Sequence, residues 1–251
     1  MLEAITLKRS LILAIFLYVL SLLWNLPAAT VWKGLADRLP VPVTLHGLTG
    51  TLWSGQVGRI EVDGIDQGAL SWDWRPAGLL KGAISLDLDW RPRNGQVNAE
   101  LHAGLRRVTL REVNGRLDAA SMAAVNKAPF VLAGSWLLDV PLLELNNLEH
   151  VGQASGRLVW DSAAGGLPQP IPLGHLSAEL QGVDGWLNFT LSDQGGPLGL
   201  QGTARWRPGQ PMELNTRLQA RSTADAGLVG GLGLLGTPGP DGWIEWQAWL
   251  Q

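Results

Sequence analysis

Along most of this chain hydrophobic and polar residues alternate with a period of two. Over residues 83–90 (AISLDLDW), Ile84, Leu86, Leu88 and Trp90 fall on one side and Ala83, Ser85, Asp87 and Asp89 on the other. That is the pattern of a strand with one face buried and one in water. Val97, Ala99, Leu101 and Ala103 repeat it, as do Leu187, Phe189 and Leu191, and later Met212, Leu214, Thr216 and Leu218. Turn residues stand between these runs at Gly64, Arg93-Asn94-Gly95, Asn114-Gly115, Gly165-Gly166-Leu167-Pro168, Asp184-Gly185, Gly195-Gly196-Pro197 and Pro208-Gly209. Strands joined by short turns predict an antiparallel meander rather than a βαβ fold. Three Trp-Arg-Pro triplets, at Trp74, Trp90 and Trp206, mark strand ends, because proline cannot donate to a ladder. Two helices are expected in this part, over 118–126 behind an Asp cap and over 225–235, whose glycines weaken it.

The first residues follow another pattern. After Lys8 and Arg9, residues 11–24 (LILAIFLYVLSLLW) carry no charge, and the uncharged stretch continues to Trp32. As a helix, residues 11–29 would reach roughly 28 Å, near the thickness of a bilayer's hydrocarbon core. The basic pair on its N-terminal side keeps the first residues in the cytoplasm. The expected division is a cytoplasmic segment 1–9, a transmembrane anchor 10–29 and a β-rich periplasmic domain 30–251, with a Pro/Gly-rich stretch at 167–174 separating two β subregions. A cleavable signal peptide is the rival reading, and the Pro27-Ala28-Ala29 segment is a poor version of its cleavage site. The fold class is therefore mainly β: an N-terminal transmembrane helix followed by a curved antiparallel β-sheet, an open barrel or meander.

Composition narrows the function. The 251 residues are 46% hydrophobic and 16% charged, so the chain folds. A net charge of −3 with no basic run gives no footprint for nucleic acid. The absence of cysteine is compatible with an oxidising compartment and removes thiolate chemistry. His46, His102, His150 and His175 lie far apart, which indicates no metal site. Asp87 and Asp89, two apart on one strand face, stand about 6.6 Å from each other by strand rise, near the separation of an inverting glycosidase's acid and base. Paired acids on a wet face are more commonly just solvated. Ser54 and Ser85 lack the nucleophile elbow of a hydrolase. No catalytic residue, cofactor or metal is expected.

Thirteen tryptophans against one tyrosine and three phenylalanines are the strongest oddity of composition. Most fall in strand patterns, where large aromatics fill the inside of a sheet. Trp72 and Trp74 share one face with each other, whereas Trp243, Trp246 and Trp249 cannot all share one. Trp53, Trp72, Trp74, Trp243, Trp246 and Trp249 are the interaction candidates, since exposed tryptophan marks interfaces. The stretch HGLTGTLWSG around Gly47, Gly50 and Gly55 lacks the lysine and following helix of a phosphate loop, so its glycines are structural.

Residues 45–55 (LHGLTGTLWSG) resemble the L-x-G-x-x-G-T-L-W-x-G segment of the type II secretion system protein N family. The block LSWDWRP at 70–76, followed by Leu79-Leu80-Lys81-Gly82, is similar to that family's tryptophan and proline block. The anchor followed by Leu26-Pro27-Ala28 and the glycine-rich 227–236 continue the likeness, while 99–153 match only in general pattern. The resemblance implies a non-enzymatic, ancillary inner-membrane component of the machine that exports folded proteins through an outer-membrane secretin. Its implied partners are the inner membrane and other secretion components, either inner-membrane subunits or the secretin. Two other readings stay open: a carrier whose groove, lined by Ile84, Leu86 and Leu88, holds phospholipid, and a cell-wall glycan binder or hydrolase using Asp87 and Asp89.

Overall fold

In the computed structural model, residues 2–36, 42–92, 94–124, 131–167 and 169–250 are described. Two helices, α1 (Leu2–Trp24) and α2 (Ala28–Leu35), precede the strands β1 (Val43–His46), β2 (Thr49–Gly50), β3 (Ser54–Val57), β4 (Arg59–Val62), β5 (Ile65–Asp66) and β6 (Ala69–Arg75). There follow β7 (Ile84–Arg91), β8 (Gln96–Ala103), β9 (Arg107–Asp118), β10 (Val131–Asn146), β11 (His150–Gly166), β12 (Ile171–Val183) and β13 (Trp186–Asp193). The chain closes with β14 (Leu198–Trp206), β15 (Met212–Ala220), helix α3 (Ala226–Leu235) and β16 (Ile244–Leu250).

Thirteen strands form one antiparallel sheet in the order β16-β15-β14-β13-β12-β11-β10-β9-β8-β7-β6-β3-β2, and β1, β4 and β5 form a separate three-stranded sheet. The end strands β2 and β16 do not pair, so the large sheet stays open, as the meander reading expects. The Trp-Arg-Pro triplets end β6, β7 and β14 as expected. Between β11 and β12 pairing runs from Ser155↔Gln181 to Gly165↔Ile171, carrying the sheet across the 167–174 stretch.

Register places the alternation on two faces. Rows such as Trp74, Leu86, Leu101, Leu110 and Leu143 run across five strands on one face. Ser71, Asp89, Asn98 and Asn114 run across the other. On the apolar face one core gathers Leu176, Leu198, Leu218 and Ile244 under Leu228 and Leu232 of α3. A second gathers Val140, Val151, Leu180 and Leu187. The polar face is laced by cross-strand pairs such as Arg157 with Glu179 (2.7 Å) and Arg205 with Glu213 (2.6 Å), which are exposed and each worth little. The long strands β10 and β11 keep their faces by bulging. Pro141 sits within β10 where the register to β11 shifts between Asp139 and Leu142, so its missing N–H costs no ladder bond.

Both helix expectations outside the N-terminus are met in part. Asp225 caps α3 by accepting from the Leu228 N–H at 2.7 Å. Over 118–126 the chain makes a 3-10 helix, Ala119–Ala124, with Asp118 accepting from the Ala120 N–H; residues 125 and 126 lie outside the described residues.

The anchor is corrected. Among the described residues no helix is long and apolar enough to cross a membrane. The helix expected over 10–29 instead ends at Trp24, and a new helix starts at Ala28. Pro27 is the reason: it disfavours helical backbone in the residue before it and itself takes an extended conformation, with ψ 134°, as the cap of α2.

Asp193 ties the β13–β14 turn to the end of β15. Its carboxylate, only 8% exposed, accepts from the Leu200 N–H (2.9 Å), the Gly195 N–H (3.0 Å) and Arg221 (2.6 Å). Burial pushes its pKa up, but the two backbone N–H groups and Arg221 together outweigh burial and hold it below the usual carboxylate value. A depressed pKa contributes stability that is present above the unfolded value and is lost as pH falls through the folded one. Asp193→Asn is therefore expected to lower stability at neutral pH by about 1–3 kcal/mol. In denaturant titrations the gap to the parent should close as pH drops below the ordinary carboxylate range.

Candidate functional site

The tryptophans that the sequence singles out near the N-terminus meet at one joint. Trp53 donates its Nε1–H to the Leu23 carbonyl at 2.8 Å, satisfying one of the carbonyls that the end of α1 leaves without a helical partner. Trp74 lies 5.3 Å from Trp24 in an edge-to-face contact of 82° and 5.3 Å from Trp53. Trp72 donates to the carbonyls of Leu52 (3.1 Å) and Thr51 (3.2 Å). Backbone bonds complete the lock: the Leu52 N–H reaches the Leu26 carbonyl at 3.0 Å, and Pro27 bridges to Thr51. The GTLW stretch is a socket for the end of α1.

The glycines make that socket possible. Gly50 holds φ at +90°, and a side chain there would run into the Ser54 carbonyl. A Cβ at Gly55 would stand 2.6 Å from the ring of Trp72 and 2.7 Å from the Thr49 carbonyl. Gly47, with φ +68°, turns the chain between β1 and β2.

The C-terminal trio separates as the alternation requires. Trp246 packs on the core beneath α3. Trp249, on the opposite face of β16, is 66% exposed. Trp243 precedes the strand and lies under the Arg217 guanidinium, 5.1 Å from its centroid. Strand β16 is the outer strand of the sheet, and its only charged residue is Glu245. It carries neither the lysine nor the proline with which natural edges repel pairing.

Most of the acidic, serine and histidine candidates lie in cross-strand pairs. Asp87 is paired with Arg75 at 2.5 Å, and Asp89 with Arg91 at 2.6 Å, so both acids are held in exposed ion pairs. Both stand on the solvated polar face of the sheet, each beside a guanidinium of its own. Ser85 meets His102 Nδ1 at 2.7 Å, and His102 Nε2 stands 3.5 Å from Glu100, a grouping that cross-strand register creates and sequence spacing hides. Ser85 is only 2% exposed. His46 pairs with Glu61 and His175 with Asp161, and among the described residues no three potential ligands converge on a metal position.

Sequence reasoning missed Gln67. It reads as a turn residue between Asp66 and Gly68, yet it is 7% exposed and lines an apolar cavity of about 470 Å³. Its amide Nε2 has no partner among the described residues. Only its burial, which depends on β4 folding back over β6, could have drawn attention to it.

Residues 42–247, from just before β1 into β16, match the family model for Type II secretion system (T2SS), protein N. The chain belongs to the type II secretion system protein N family. It is similar to Type II secretion system protein N of Aeromonas hydrophila, with 28% identity over 248 residues covering 94% of this chain and 95% of the relative. It is also 28% identical to Type II secretion system protein N of Vibrio cholerae serotype O1 over 156 residues, which covers 57% of this chain and 58% of that relative. No solved structure matches. The resemblance read from the GTLW and LSWDWRP blocks is thereby shown, and in the structure those blocks are the socket for α1.

Gly55→Ala is expected to destabilise the full-length protein by about 1–3 kcal/mol, because the new methyl group overpacks the socket. Each kcal/mol lowers Tm by roughly 2–4 °C in a chain of this size. Trp72→Phe in the same chain should restore part of the loss, since the colliding ring atom is gone. Thermal unfolding of the parent and the two variants checks both statements.

Proposed function

We propose that the protein is a non-enzymatic, ancillary component of the type II secretion system. In this reading α1 holds the chain at the inner membrane through its apolar side chains, and the β-domain stands in the periplasm. There it docks on other secretion components, inner-membrane subunits or the secretin, and supports export of folded proteins across the outer membrane. Family membership supports the involvement in type II secretion. The anchor is supported by α1's unpartnered apolar surface: Leu13, Phe16, Leu17, Leu20 and Leu23 are each about half exposed, as side chains that meet lipid would be. The Trp24–Trp74 and Trp53–Leu23 contacts then transmit the helix's position to the sheet.

The observation that carries the docking role is the unguarded edge of β16. Its free N–H and C=O groups can accept a strand from a partner, and Trp249 stands beside them as an aromatic anchor. A photoreactive residue at Trp249 is expected to crosslink in cells to an inner-membrane secretion subunit or to the secretin. Trp249→Lys, which places a gatekeeper on the edge, should weaken that capture about tenfold and reduce secretion while leaving Tm unchanged. Normal secretion by Trp249→Lys together with no protein crosslink from this position would overturn the docking role.

A further inference from the structure

The small sheet of β1, β4 and β5 folds back over the apolar face of the large one and leaves between them an apolar cavity of about 470 Å³ that is open to the surface. Ile60 and Val62 of β4 form its roof, and Leu88, Trp90, Val97 and Leu110 are prominent in its floor. The size is that of a ligand pocket. Among the described residues Gln67 is the one polar side chain in the lining. Its backbone is held in place, with its N–H on the Ile60 carbonyl and its carbonyl accepting from Trp90 Nε1–H, both at 2.7 Å. The side-chain amide is thereby presented to the cavity with a buried donor that lacks a partner among the described residues. A second buried donor in the same condition, Trp74 Nε1, belongs to the same face at the α1 socket, one strand row beyond the Trp72–Leu88 pair.

The chemistry of the lining selects the occupant. An ordered water needs two to four polar partners, and among the described residues the lining offers one polar side chain. A peptide would bring an N–H and a C=O with every residue, and burying them unpaired is costly. A free fatty acid would bring a carboxylate, and among the described residues no cation lies in the lining to neutralise it. An uncharged acyl ester needs one donor for its carbonyl and an apolar wall for its methylenes. The geometry points to a binding site for the acyl chain of a membrane phospholipid, its ester carbonyl accepting from Gln67 Nε2–H. From the reading above this takes only that α1 lies in the membrane: a chain lifted from the bilayer beside α1 meets Trp24 and Trp74 first and then the cavity. The edge of β16 plays no part in it.

The test uses the full-length protein in vesicles of phosphatidylethanolamine and phosphatidylglycerol containing a phospholipid with a diazirine in its acyl chain. After illumination, adducts are mapped by mass spectrometry. Labelling of α1 between Leu13 and Trp24 reports the anchor, and labelling of Trp90, Leu110 or Leu138 reports the cavity. Cavity adducts are expected in the parent. They should fall about tenfold in Ala99→Phe, which fills the space, with α1 labelling unchanged. Gln67→Leu, which relieves a buried unpaired donor and so keeps the fold, should also weaken cavity labelling severalfold. Adducts confined to α1 would overturn the site while leaving the anchor intact. Cavity adducts obtained from a diazirine fatty acid but not from the phospholipid would overturn the ester assignment. Cavity labelling that survives both substitutions would overturn the pocket.

Discussion

A strand with one apolar face cannot stand alone in water, and this protein joins thirteen of them edge to edge so that the apolar faces become one surface. Hydrogen bonding between neighbours satisfies the backbone, but it does nothing to cover that surface. The rest of the structure follows from this constraint. In a closed barrel the sheet would cover itself; here β2 and β16 remain apart, so covering has to come from other parts of the chain.

Three such parts do it. At one end α3 lays Leu228 and Leu232 on Leu176, Leu198, Leu218 and Ile244. At the other, β4 and its neighbours roof the strands β6 to β9. Between the roof and the N-terminus, the tryptophan socket closes the face against the end of α1. The roof differs from α3 in packing less tightly, and the space under it holds the proposed acyl site. The polar face makes no such demand, because its ion pairs and amides stay in contact with solvent.

Alternation made the sheet legible, since a period of two is written residue by residue, and the meander followed from turn residues between the runs. The Asp225 cap was legible for the same reason: cap and helix are adjacent. What depends on distant pairing was hidden. Trp53 and Leu23 are thirty positions apart, and nothing in the spacing of Trp53, Trp72 and Trp74 shows that they converge on a helix end. Gln67 looks like a turn residue until β4 covers it. Gly134 and Pro141 lie inside β10, which absorbs both by shifting register against β11. The single helix expected over 10–29 breaks before Ala28 because hydrophobicity continues smoothly past Pro27, while the backbone does not.

The order of strands has one more consequence. From β6 to β16 each strand lies beside its predecessor in sequence, and only β4 and β5 leave the row before the chain returns to it at β6. Few contacts of the large sheet therefore require the two ends of the chain to find one another, unlike the long-range closures that slow most β proteins. A chain emerging one end at a time can add each hairpin to a template already laid down, with the next strand always the nearest candidate for the open edge. Assembly in that sense resembles the growth of a repeat array more than the collapse of a sandwich, and α3, arriving just before β16, lands on strands that are already paired.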